Sequence, residues 1–405
     1  MEHAVVHGAA GAGETWMQLE PLPYHVLVAA RLEAAEPELW AWFCSDTFAE
    51  KYKAATADDL LRNAIRLDRS GPNERRYQLA EQARDKLGLA EPITLHQMHD
   101  ATGRPNAFLI FMPGEIVIAF EGRILELLDQ DGELLDLLGH EISHYKLYTE
   151  AAGRYRVADR LLGWLIAREQ CPPEFIETWR RNRLFTEIYC DLGGLMACGD
   201  RDATIRGLVK SLADFKDADA ASYLRQAEEL LARGAGVSRG TTHPELHVRV
   251  LAVANAETMP PSAFSDMLAQ LIAGPLDVAA LDLPDQQRLA DLTRALLDRF
   301  LSHHDLSTDQ TMAYARQMFP DYAPPSAASG ALTTISATLS ESTIDYLSYV
   351  LLDLATIDDS GSSQPIAVAA AIADELGLAS RFREIARQEL KGRRAILSGL
   401  TTRAA

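Results

Sequence analysis

A chain of 405 residues is longer than one hydrophobic core usually supports, so two or three domains are expected. Its 47% hydrophobic and 24% charged residues are those of an ordinary globular protein, which excludes fibrous, mucin-like and wholly disordered classes. A formal charge of −19 opposes attraction to phosphate backbones and anionic membrane surfaces, so nucleic acid is not an expected partner.

The first residues, Met1 to Thr15, hold neither Lys nor Arg and no continuous apolar stretch, so no secretory signal is expected. From about Tyr24 to Leu89 apolar residues such as Leu60, Leu61, Ile65 and Leu79 recur at helical spacing, with a stop at Gly88. Ile93 to Met98 alternates as a strand. Ala107 to Phe111 and Glu115 to Phe120 then read as a hairpin turned at Met112-Pro113-Gly114. The same Pro113, Gly114 and Glu115 interrupt the most apolar stretch of the first half, and no run approaches the roughly 20 residues that span a bilayer. Helical periodicity returns after Gly122 and predicts helices over about 133–148, 153–169, 173–198, 203–215, 219–233 and 244–256. Met259-Pro260-Pro261-Ser262, with Gly274-Pro275 beyond it, reads as a boundary. An all-helical region follows from about Pro284, broken at Ala323-Pro324-Pro325-Ser326 and at Asp358 to Ser363. Cys44, Cys171, Cys190 and Cys198 make no CxxC pair and fit reduced thiols in the cytoplasm.

Chemistry concentrates in Leu138-Gly139-His140-Glu141-Ile142-Ser143-His144. Two imidazoles four residues apart stack on one helix face, where a single cation meets both, and Glu141 is placed to act as general base on a water without ligating the metal. Further on, Glu187 and Asp191 put two carboxylates one helical turn apart between apolar neighbours Ile188, Tyr189 and Leu192. Glu187 completes a His₂Glu set for one Zn²⁺ per chain, with a fourth position left open. Asp191 is then placed to accept a hydrogen bond from the free ring nitrogen of a ligand His. Without a metal, the same residues would be polar positions on amphipathic helices and a solvated acidic face.

These motifs resemble the M48 family of metallopeptidases over about Tyr77 to Ala256. The resemblance rests on Asn106-Ala107-Phe108 before the hairpin, Glu121-Gly122-Arg123-Ile124-Leu125, the HExxH helix, Glu187 with Asp191, and Thr242-His243-Pro244 with the trailing Arg249. It implies that His243 approaches the scissile carbonyl, that Arg249 orders the carboxylates, and that the strand Ile116, Val117, Ile118 and Ala119 holds an extended peptide along a sheet edge. The bland alternatives are a core strand, and a capping box between Thr242 and Glu245. The last region, through Tyr349 to Asp359, Val368 to Gly377 and Phe382, resembles TerB-like helical domains, with Asp358-Asp359-Ser360-Gly361 where such domains often carry Asp-Gly-Glu.

The expected fold is therefore α+β. A helical segment at 1–76 precedes a zincin-like peptidase domain at 77–258, mostly helical with a small sheet; a linker at 259–283 leads to an all-α accessory domain at 284–405. The expected activity is zinc-dependent endopeptidase action on a protein or peptide substrate, with no membrane span and with the last region available for a protein partner. Two other readings are a non-catalytic zinc-bearing adaptor and a sensor peptidase of the ImmA/IrrE type, the latter expecting a DNA-linked repressor substrate.

Overall fold

The computed structural model describes residues 18–99, 103–234, 236–323, 338–358 and 362–401. Among them the chain divides into two compact units, Met1–Glu169 with Trp179–Ala273 and Gln170–Thr178 with Gly274–Ala405.

The first unit opens with helices α1 (Pro23–Ala35), α2 (Pro37–Phe43) and α3 (Asp46–Asn63), then the strand β1 (Ala64–Arg66) and helix α4 (Pro72–Lys86). The strand β1 interrupts a stretch whose spacing reads as helix throughout. It pairs antiparallel with β2 (Ile93–Met98), and this long-range pairing overrides the local pattern around Ile65. Strands β3 (Asn106–Met112) and β4 (Glu115–Glu121) form the hairpin, turned at Gly114 with φ of 79°, a left-handed position that suits glycine. The sheet order is β1-β2-β4-β3, with β2 and β4 parallel.

Beyond the short α5 (Ile124–Leu127) lies α6 (Asp131–Thr149), which carries the HExxH motif. Asp131 and Glu133 in its first turn complement the helix dipole. Leu134, Leu138, Ile142 and Tyr145 make its buried face. Tyr145 fixes the sheet to this helix: its hydroxyl accepts from the Gly114 N–H at 3.2 Å, and its ring stacks on Phe111 at 5.5 Å. Then come α7 (Arg154–Ile166), α8 (Pro173–Cys198), α9 (Arg201–Ala213), α10 (Ala220–Ala232), α11 (Leu246–Asn255) and α12 (Pro261–Ile272). The segment read as a linker thus contains a helix. Pro261 sits in the first turn of α12, where its missing N–H costs nothing, and Phe264, Leu268, Leu271 and Ile272 are buried.

The second unit has its own apolar core. Leu296, Leu297 and Phe300 of α13 (Leu283–Leu301) pack with Leu351 of α15 (Glu341–Thr356), Ile366 of α16 (Gln364–Leu376) and Phe382 of α17 (Ala379–Glu389); α14 (Asp309–Met318) adds Met312 and Ala315. Pro324 to Ser326 and Asp359 to Gly361 lie outside the described residues. No described helix is long and apolar enough to cross a membrane.

Helices α6 and α8 approach so closely that their glycines leave no room for a side chain. A Cβ on Gly139 would stand 2.4 Å from the Ala197 Cβ, one on Gly193 would stand 1.8 Å from Ser143 Oγ, and one on Gly194 would stand 2.4 Å from Asp136 Oδ1. Gly139→Ala and Gly194→Ala are each expected to destabilise by about 1–3 kcal/mol through overpacking. Gly163→Ala is the control: a Cβ there meets nothing within 4 Å, and removing a mid-helix glycine should be neutral or stabilising by up to about 1 kcal/mol. Urea midpoints measured for the three variants decide this, and equal midpoints would remove the close contact as a constraint.

Candidate metallopeptidase site

Three helices and the loop before the last of them bring most of the predicted residues together. From α6, His140 and His144 present rings whose centroids are 5.2 Å apart. From α8, the Glu187 carboxylate faces both: Oε2 is 3.5 Å from His140 Nε2 and Oε1 is 3.8 Å from His144 Nε2. Glu187 is buried, and among the described residues its Oε2 has no hydrogen-bond partner. The His243 Nε2 stands 3.5 Å from that same oxygen, while Thr242 Oγ1 holds its Nδ1 at 2.9 Å.

Behind the histidines lies a buried relay. Asp191, one turn after Glu187, accepts from His140 Nδ1 at 3.0 Å. Arg249, on α11, grips Asp191 with two hydrogen bonds, Nε to Oδ2 at 2.7 Å and Nη2 to Oδ1 at 2.5 Å, and its Nη2 lies 3.7 Å from Glu187 Oε2. The capping box between Thr242 and Glu245 does not form. Helix α11 begins only at Leu246, and the Glu245 carboxylate accepts instead from the Ser238 hydroxyl at 2.6 Å and the Arg239 N–H at 2.9 Å.

The electrostatics of this cluster follow from burial set against charge. Burial works to raise the Glu187 pKa, but His140, Arg249 and His144 outweigh it and hold the carboxyl well below its ordinary range. Burial works to lower that of His140, yet Asp191 and Glu187 lift it to about 10. His144 is brought down to about 3 by burial, against the opposing pull of Glu187. Glu141 is pushed up to about 7, chiefly by burial, although a backbone hydrogen bond from Leu109 of β3 favours its charged form.

The strand predicted to hold substrate does not have a free edge. Ile116, Val117, Ile118 and Ala119 lie on β4, paired on one side with Ile93 to His96 and on the other with Phe111 to Phe108, and they are at most 1% exposed. They are core residues. The edge beside the HExxH helix belongs to β3, which pairs only with β4 among the described residues and supplies the Leu109 bond to Glu141.

Two residues of the cluster were missed by sequence reasoning. Asp136 lies one turn before His140 on α6, and burial together with the Asp191 charge pushes its pKa well above the ordinary value. Cys190 lies one turn after Glu187 on α8, fully buried. Its thiol is also driven well up, by burial and then by Glu187, Glu141 and Asp191. Helical spacing alone, at i−4 and i+3 from named site residues, was the available signal for both.

Residues 72–159 match the model of Peptidase family M48. Over that stretch the chain is similar to the M48 peptidases. M48 is a family of metallopeptidases, so the match supports a hydrolase acting on peptide bonds. The match spans α4, strands β2 to β4 and the HExxH helix, and it ends before Glu187, Asp191, His243 and Arg249, which the fold carries to that helix. No curated protein and no solved structure matches the chain.

Removing the guanidinium tests the relay. Arg249→Met would leave Asp191 and Glu187 buried with one cation fewer, and losing one partner of a buried ion pair costs on the order of 3–5 kcal/mol. Denaturant unfolding of the variant should show a loss of that size, and an unchanged midpoint would mean that the network is solvated.

Proposed function

We propose that this protein is a zinc-dependent endopeptidase whose metal is held by His140, His144 and Glu187. The observation that carries the reading is the buried Glu187 Oε2, which has no hydrogen-bond partner while its carboxylate faces two imidazole Nε2 atoms at 3.5 and 3.8 Å. Donors bonded at about 2.0–2.1 Å to one tetrahedral ion stand roughly 3.3–3.4 Å apart, so this set needs little adjustment to fit one. The anionic carboxylate and borderline imidazoles suit zinc.

When bound, zinc supplies Lewis acidity that polarises a peptide carbonyl and acidifies a water molecule. The protein's own groups do the rest. Glu141, poised at about 7, takes a proton at physiological pH and returns it to the leaving amine. His243, more than half exposed, extends from its loop toward Glu187 and is placed to donate to the developing oxyanion. Asp191 holds His140 through Nδ1 so that Nε2 points inward, and Arg249 holds Asp191. An extended peptide adds to the free edge of β3, which brings its backbone alongside Glu141. Four free cysteines, one of them fully buried, fit a reducing compartment, and we assign the protein to the cytoplasm.

Purified protein is expected to carry about one zinc per chain, lost in a His140→Ala, His144→Ala double variant. Glu141→Gln should keep both zinc and fold while cleavage of an unfolded protein substrate stops; cleavage that survives this change would take Glu141 out of the mechanism. Zinc retained by the double variant would sink the ligand assignment itself.

Asp191→Asn should weaken zinc binding by roughly 10- to 100-fold, the usual scale for loss of a group that orients a ligand His. Competition against a chromogenic chelator reads this directly. An unchanged affinity would reduce Asp191 to a packing role.

A further inference from the structure

The thiol of Cys190 takes no part in the reading above, yet it is directed into the same space. The ligand atoms of His140, His144 and Cys190 all lie within 4.8 Å of one another. Cys190 follows Glu187 by three residues on α8, so one helix face offers the histidine pair a carboxylate and a sulfur. The second sign that this space takes a ligand is the Glu187 Oε2, buried and without a hydrogen-bond partner.

We propose that Cys190 is an alternative donor at this centre, and that thiophilic divalent cations such as Cd²⁺ are held by His140, His144 and Cys190. The inference rests on the metallopeptidase reading, because it uses the same two histidines. Imidazole nitrogens and a thiolate around one ion stand roughly 3.3–3.6 Å apart for bonds of about 2.0–2.1 Å to nitrogen and 2.3 Å to sulfur. From separations of at most 4.8 Å the donors therefore close by no more than roughly 1.5 Å, which small side-chain rotations can supply. Metal choice follows from donor softness: a carboxylate favours harder ions and a thiolate softer ones, so one pair of histidines can serve either according to which α8 side chain turns in.

The step balances simply. The thiol loses its proton to solvent as the sulfur–metal bond forms, with no change of oxidation state. If Glu187 stays bound as well, four protein donors fill the tetrahedron and leave no position for water or substrate, as in structural zinc sites. A peptidase loaded in this way is silent.

The test uses the full chain titrated with Cd²⁺ and, separately, Co²⁺, followed by ultraviolet absorption and by competition with a chelator. Wild type should show a sulfur-to-metal charge-transfer band with Cd²⁺, and Cys190→Ala should abolish it. The same change should lower Cd²⁺ affinity at this site by more than about 100-fold, beyond the roughly 10- to 100-fold that loss of a merely supporting group costs, while zinc affinity changes by less than about threefold. Cys190→Ser, a closer match in shape, guards against a folding defect, and thermal unfolding of both variants confirms it. Cys44, Cys171 and Cys198 remain in every sample, so any band they produce survives the substitution and is subtracted.

Tight Cd²⁺ binding that is lost in the His140→Ala, His144→Ala double variant but shows no band dependent on Cys190 overturns this inference and leaves the peptidase reading standing. Equal Cd²⁺ affinity in wild type and both Cys190 variants does the same. Wild type that binds none of Zn²⁺, Co²⁺ and Cd²⁺ overturns both.

Discussion

Everything at the site depends on how closely α6 and α8 can lie. Gly139 on one helix and Gly193 with Gly194 on the other remove the side chains that would separate them, and Ala197, Ser143 and Asp136 fill the space where their Cβ atoms would be. Side chains at those glycines would push the helices apart and carry the α8 carboxylates away from the α6 histidines. The close crossing instead places Glu187 and Asp191 against the two edges of the His140 ring, one at Nε2 and one at Nδ1. A single imidazole is thereby oriented from both sides by residues one turn apart.

Such a crossing buries charge that has to be matched. Glu187, Asp191, Asp136 and Glu141 are all buried, and the cations beside them are Arg249 and, when protonated, His140. The protein answers in two ways. It raises the pKa of Asp136 and Glu141, so that protonation lowers the total charge, and it keeps Glu187 and Asp191 ionised beside the guanidinium. Buried ion pairs of this kind are seldom the cheapest way to stabilise a core, since apolar residues of similar volume often serve as well or better. Their presence is better explained by a need for fixed negative charge, which a divalent cation would satisfy.

Much of this was legible in the sequence, and the failures share one cause. The HExxH spacing, the Glu187 and Asp191 pair and the hairpin around Gly114 are short-range patterns, and local geometry fixes what each can do. The trailing Arg249 and His243 could be placed only through resemblance, because nothing local tells a long-range hydrogen bond to Asp191 from a surface arginine. Strand order was the main error. Sequence marks Ile116 to Ala119 as a strand, but whether it is an edge depends on what pairs with it. Here the parallel partner β2 comes from the other side of the hairpin and closes the edge. Ile65 failed in the same way, since pairing with Gln97 turned a helical pattern into a strand end.

The competing reading, a zinc-bearing protein that does not turn over, differs from the peptidase in one respect that the side chains address. A structural zinc site closes its coordination with four protein donors and has no use for an uncoordinated carboxylate beside them. Glu141 is such a group. It is buried next to His140, its pKa is lifted to about 7, and its placement is set by a backbone bond from the strand edge rather than by a cation of its own. Desolvating a carboxyl in this way costs stability, and a purely structural centre would gain nothing in return. On the proposed peptidase reading Glu141 is the base beside an open coordination position, which gives that cost a purpose. On the Cys190 proposal, the same centre closes only where sulfur and the Glu187 carboxylate bind together, so that catalytic and structural arrangements would be two states of one set of residues.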